Sequence, residues 1–277
     1  MIVGRDVVTP GSVLVAANRD EDPTRPADPP AVLIDAPRVV GGRDRRAGGT
    51  WLAVRETRAL VAILNRRDRS GEPAPASPGR RSRGMLALDV AGVEEDEPGL
   101  PESAGDRARL LAGLRSVSGA GLPQAALRRA FSSLLDAPYA PCSVVFAAPE
   151  ACWWVALDLN GPPRVAPVPE GWHVLTHADF DDPNEPRTAR LMRELAGFTP
   201  RSLAEAERRV EDLLSSHGDP PSIPPVCLHS GRMVTVSAAT VWLAPGEARY
   251  RHAEGRPCEH AREDYTHLLG TPAPEPR

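Results

Sequence analysis

Apolar residues come in short runs at both ends of this chain and at helical spacing between them. Met1 to Asp6 and Gly11 to Ala17 read as two strands around a Thr9-Pro10-Gly11 turn, a hairpin pattern. Residues 50–55 and 59–64 repeat it, with Trp51-Leu52-Ala53-Val54 and Leu60-Val61-Ala62-Ile63-Leu64. In the middle, Leu110, Leu111, Leu114 and Val117 are expected on one helix face, and Leu127, Phe131, Leu134 and Leu135 on another. Strand-like runs return at Ser143–Ala147 and Cys152–Leu157. Asp182-Pro183 leads into a helix near 186–196. Ser202-Leu203-Ala204-Glu205 has the spacing of a capping box and opens another, with Leu203, Ala206, Val210, Leu213 and Leu214 inward. Met233–Val236, Thr240–Leu243 and Arg249–His252 read as closing strands.

Paired strands at both ends with helices between argue against βαβ units. They predict an α+β fold of antiparallel sheets packed with helices. One domain over residues 1–269 is expected, with an Arg/Pro-rich loop at 66–84, an acidic loop at 93–106 and a Pro-rich tail at 270–277.

Composition narrows the chemistry more than the fold. All 33 basic residues are Arg, so Schiff-base catalysis and the P-loop lysine are excluded. Net charge is −4, and the arginine pairs Arg66-Arg67 and Arg80-Arg81 have no aromatic residues between them; no nucleic-acid partner is expected. No apolar run reaches the roughly 18 residues of a membrane span, and the first residues lack a signal-peptide pattern. Four scattered cysteines do not make a disulfide scaffold, so a reduced, cytoplasmic protein is expected.

Against this background one polar interruption stands out. Val13-Leu14-Val15-Ala16-Ala17 ends in Asn18-Arg19-Asp20-Glu21, and Gly48-Gly49-Thr50-Trp51-Leu52 follows downstream. Loop chemistry explains Asp20 to Pro23 as well as function does. A strand end also delivers side chains to a fixed point where a site can be preorganised.

Both segments, with Arg25-Pro26, a Gly41-Gly42-Arg43-Asp44 turn, Asn65 and Ser82-Arg83-Gly84, resemble the NRDE family, also called the transport and Golgi organisation (Tango) family. The resemblance runs through roughly the first 90 residues and thins to Asp181-Asp182-Pro183 with Arg187 and Cys227 through Leu243. It implies the N-terminal-nucleophile hydrolase fold, a four-layer α-β-β-α sandwich. It also implies an amidohydrolase-type pocket acting on a linear C–N amide bond of a small molecule.

In that fold a Cys, Ser or Thr at the mature amino terminus attacks a carbonyl, with its own α-amino group as base. Relatives often carry Cys after the initiator Met, whereas this chain reads Met1-Ile2-Val3. Either the nucleophile lies a residue or two upstream, the reading favoured by the retained Arg19 and Asp20, or the pocket binds without cutting. The resemblance implies Arg19 for charge on the sulfur and Asp20 for the ammonium. Asn18 and Asn65 are candidate oxyanion donors. Glu21, Arg25, Thr50 and Trp51 are the candidate ligand-binding residues, with Glu21 facing solvent or Arg25, and Trp51 read first as a core wedge. Thr176-His177 stands where relatives commonly show Asn. No cofactor is assigned; some family members are linked to haem trafficking and to lipid or coenzyme A metabolism, so haem or acyl-CoA is the alternative ligand of a non-catalytic protein.

Cys227-Leu228-His229 and Cys258-Glu259-His260 are two Cys-x-His pairs. Facing each other they would make a tetrahedral zinc site, but packing is the preferred reading and no metal ligand is assigned. His173 and His177 with Asp179, Asp181 and Asp182 are read as a capped turn before a helix. No Gly-x-Ser-x-Gly, Gly-x-Gly-x-x-Gly or P-loop motif is present.

Overall fold

The computed structural model describes residues 1–67, 79–95, 101–117, 120–218 and 223–270. Its strands are β1 (Ile2–Arg5), β2 (Val13–Glu21), β3 (Ala27–Asp35), β4 (Arg38–Asp44), β5 (Leu52–Arg55), β6 (Ala59–Asn65), β7 (Cys142–Ala147), β8 (Cys152–Leu157), β9 (Arg164–Pro167), β10 (Gly171–Val174), β11 (Val234–Ala244), β12 (Glu247–Glu254) and β13 (Glu263–Asp264). Its α-helices are α1 (Arg83–Ala91), α2 (Ala104–Ser116), α3 (Leu122–Asp136), α4 (Pro186–Leu195) and α5 (Leu203–Leu214).

The strands form two antiparallel sheets, one ordered β10-β1-β2-β11-β12-β13 and the other running β3 to β9 in sequence order. Three apolar layers follow from the period of two along each strand. Val3, Val13 and Val15 meet Val40, Val54, Leu60 and Val145 between the sheets. Ile2, Leu14 and Ala16 face the other way, onto Leu191, Leu195, Val210 and Leu213 of α4 and α5. Val61, Val144 and Trp153 are covered by Leu86, Leu110 and Phe131 of α1, α2 and α3. The order helix, sheet, sheet, helix is the four-layer sandwich.

Several local expectations are corrected. Gly41-Gly42-Arg43-Asp44 lies within β4 and is not a turn; a Cβ on Gly42 would come within 2.5 Å of the Trp51 ring. β3 was hidden by Pro29-Pro30; it is an edge strand with register shifts between Asp28 and Ala31, where missing N–H donors are tolerated. β9 and β10 were also unpredicted, and the two expected strands at 233–236 and 240–243 are one strand, β11, which begins at Val234. Leu111 is 37% exposed because it sits one step round α2 from the buried Leu110 and Leu114. The expected 66–84 loop gives way to α1 at Arg83, and the 93–106 loop to α2 at Ala104. Residues 68–78, 96–100 and 271–277 of the expected loops and tail lie outside the described residues.

Candidate functional site

β2 leaves the apolar core at Asn18, and the strand period then splits its four polar residues between two faces. Arg19 and Glu21 continue the face of Val13 and Val15, toward the other sheet. Asn18 and Asp20 continue the face of Leu14 and Ala16, toward the helices.

On the helix side, the Asn18 amide donates to the carbonyls of Leu214 at 2.9 Å and Val226 at 3.1 Å. Both amide hydrogens are engaged, so the expectation of an oxyanion donor at Asn18 is not met by this geometry. Asp20 accepts from the Thr235 hydroxyl at 2.7 Å, and its other oxygen lies 3.5 Å from Arg187. It also faces the amino end of β1, where the Met1 nitrogen donates to the Leu175 carbonyl. Burial, aided by Arg187, lowers that amino group to about 5, while Asp20 and Glu185 act in the opposite sense.

Between the sheets, a pocket of about 250 Å³ is lined by Arg19, Glu21, Arg25, Asp44, Thr50, Trp51 and Asn65, together with Arg81, Ser82, Arg83 and Gly84 at the start of α1. Arg19 lies over Trp51, its guanidinium carbon 4.2 Å from the ring centroid, and 4.0 Å from Glu21. Burial lowers its pKa, and the neighbouring carboxylates counter the shift. Arg25 clamps Asp44 at 2.6 and 2.8 Å and stands 3.8 Å from Glu21. Burial alone would raise the Asp44 carboxyl; bonds from Arg25 and from the Ala47 and Arg46 amides hold it below its usual value. The Thr50 hydroxyl donates to the Leu52 carbonyl at 2.9 Å. Trp51 is half-buried, both packed on the inter-sheet core and exposed to the pocket.

The pocket therefore gathers six of the eight residues expected there and adds Asp44, Arg81 and Arg83. The last three lay within the Gly-Gly-Arg-Asp and Ser-Arg-Gly segments or beside them, but no role was read from sequence. Gly49 explains the meeting of these segments: a Cβ there would strike the Gly84 carbonyl carbon. The Thr50 amide donates to the Gly84 carbonyl at 3.1 Å, fastening β5 to the start of α1.

Beside the pocket, buried Arg66 is a structural cation. It bonds Asp158 at 2.9 Å, the Ala178 carbonyl at 2.7 Å and Asp179 at 2.5 Å, and Arg164 bonds the same two carboxylates. His173 pairs with Asp181 at 2.6 Å. Burial lowers the His177 pKa, assisted by Arg67, Arg187 and Arg66. Among the described residues, the side chains grouped as a metal would need are His217, Cys227, His229 and Cys258. His260 is not one of them, so the two Cys-x-His pairs do not close on each other as a foursome. No helix among the described residues is long and apolar enough to cross a membrane.

Comparison with known proteins places this geometry. The sequence model described as Transport and Golgi organisation 2 matches residues 12–104, the span from β2 to the start of α2 that builds the pocket. No curated protein matches the sequence. Among solved structures, a Caenorhabditis elegans N-acylethanolamine-hydrolyzing acid amidase (NAAA) ortholog superposes with a TM-score of 0.50 at 13% identity, over 89% of this chain and 92% of that one. Two variants of conjugated bile acid hydrolase from Clostridium perfringens give TM-scores of 0.45 and 0.46 at 11% and 12% identity, each over 98% of this chain. At such identity the first likeness is one of fold. Residues 12–104 are thus similar to the Transport and Golgi organisation 2 family, and the chain has the fold of the N-terminal-nucleophile hydrolases.

Proposed function

We propose that this protein is a cysteine-type amidohydrolase whose nucleophile is carried two residues ahead of Met1. The register of β1 against β2 carries the reading. Ile2 pairs with Ala16 and Val3 with Val15, so the same register, continued backward, brings the second residue ahead of Met1 opposite Arg19. Cross-strand partners share a face, and that face opens on the pocket.

A cysteine there would lie beside the Arg19 guanidinium, which favours the thiolate. Its α-amino group, one step further along, comes abreast of Asp20. The amine takes the thiol proton, the thiolate attacks the amide carbon, and the amine leaving group departs with that proton as the C–N bond breaks. Water then releases the acid from the thioester. Asn65, at the end of β6, supplies an amide donor on the pocket wall for the developing oxyanion. The arginines Arg19, Arg25, Arg81 and Arg83 outnumber Glu21 and Asp44, which suits a substrate bearing a carboxylate or another anionic group.

That arginine excess also supports a second reading, a binder of anionic small molecules that does not cut them. Acyl-CoA fits through its phosphates. Haem fits through its propionates alone, because among the described residues no His, Cys, Met or Tyr lines the pocket to ligate the iron.

The test is a chain extended by two residues beginning with Cys, set against the same extension beginning with Ala. Each is assayed for amine release from an N-acylethanolamine, an N-acyl amino acid and a conjugated bile acid. Release by the Cys form only, abolished by Arg19→Ala, is the expected result. No release by either form, with saturable binding of an anionic ligand that Arg19→Ala weakens, would replace hydrolysis by binding.

A further inference from the structure

On the far side of β2 from the pocket, four side chains from three separate segments converge. His217 follows α5, Cys227 and His229 precede β11, and Cys258 follows β12. Each offers one donor atom, and the four atoms lie within 4.8 Å of one another. We propose that His217, Cys227, His229 and Cys258 form a structural zinc site, independent of the reading of the pocket.

The edges of the group already approach those of a tetrahedron. The two sulfur atoms are 3.5 Å apart, against about 3.8 Å for two thiolates bound tetrahedrally at 2.3 Å. His229 Nε2 lies 3.1 Å from the Cys258 sulfur, and the His217 and His229 rings sit 4.6 Å apart. His229 turns its other nitrogen, Nδ1, toward Glu259 at 3.6 Å, the outer carboxylate that orients a ligating imidazole. Two soft sulfurs and two imidazoles select zinc over magnesium or calcium, and four protein ligands close the shell as structural sites do.

The backbone holds these segments in place. The amides of Val226 and Cys227 both donate to the Ser216 carbonyl at 2.9 Å, and the Leu228 amide donates to the Thr235 hydroxyl at 2.9 Å. The same stretch presents the Leu214 and Val226 carbonyls to Asn18 and the Thr235 hydroxyl to Asp20. Metal here would pin the end of α5, the approach to β11 and the turn after β12 behind the polar end of β2. Without metal, Cys227 is a buried thiol whose pKa is raised by burial and by the Cys258 sulfur.

The full chain, stripped with a chelator under reducing conditions, is titrated with Zn²⁺ and separately with Co²⁺. One metal per chain, with thiolate-to-cobalt charge transfer and the intense visible bands of a tetrahedral ion, is the expected result. Zn²⁺ should raise the Tm of the wild type but not of Cys258→Ser or His217→Ala. Cys258→Ser and His217→Ala should each lose the tetrahedral cobalt spectrum, the exposed His217 serving as the variant that leaves the core intact. Glu259→Gln should keep it and weaken binding about 10-fold. Absence of stoichiometric metal from the reduced wild type would overturn the site. So would a cobalt spectrum unchanged in His217→Ala. Two thiols that appear only after reduction, with no metal bound, would assign Cys227 and Cys258 to a disulfide instead.

Discussion

Arg19 rests on Trp51, with 4.2 Å between guanidinium carbon and ring centroid, so this pocket cation is held by an aromatic face as well as by Glu21. Such a contact positions the cation without consuming its donors, which remain free to meet an anion.

A double-mutant cycle of Arg19→Met and Trp51→Leu should give a coupling of about 1 kcal/mol in urea unfolding. A cycle that closes with no coupling would mean that the two side chains act separately.

Asn18 ties β2 to the end of α5 and to the segment before β11. Asn18→Ala should destabilise by about 2 kcal/mol, two buried carbonyls losing their donors. Asn18→Asp should cost more, since a carboxylate would face both carbonyl oxygens. Equilibrium denaturation of the two variants checks the order; equal stability of Asn18→Ala and wild type would contradict it.

Gly49→Ala should cost about 3 kcal/mol, because the new Cβ has no space against the Gly84 backbone at the start of α1. A wild-type melting temperature for this variant would show that the two segments separate freely.

His252 is buried, and burial, with Arg262 and Arg19 adding to it, lowers its pKa from 6.5 to about 4. The unfolded chain therefore binds a proton that the folded chain refuses between those values. Its contribution is complete above pH 6.5 and is lost as pH falls toward 4, about 3 kcal/mol across the window. Unfolding free energies at pH 7.5 and pH 5 should differ by less in His252→Gln than in wild type; identical slopes would remove His252 as the cause.

Much of the architecture was legible because alternation and helical spacing report burial directly. Val13 to Ala17, Leu60 to Leu64 and the Leu203 to Leu214 face all lie where the pattern puts them. Where it failed, another force had won. Pro29-Pro30 reads as a loop but is admitted on an edge strand, and Gly41-Gly42 reads as a turn but makes room for Trp51 and the β5 backbone. Arg66, placed at the start of the expected Arg/Pro-rich loop, is buried because Asp158, Asp179 and the Ala178 carbonyl surround it.

By itself the sequence determined the chemical vocabulary: arginine as the sole basic residue, a strand ending in Asn18-Arg19-Asp20-Glu21, and glycines where backbones touch. Adjacency in sequence made those four residues look like one site. The tertiary structure decided otherwise, because successive side chains on a strand point to opposite faces. Arg19 and Glu21 went to the pocket, Asn18 and Asp20 to the helices. Likewise, only the closing of sheet and helix brought His217, Cys227, His229 and Cys258 together, since their grouping depends on where α5, β11 and β12 end in space rather than on any spacing along the chain.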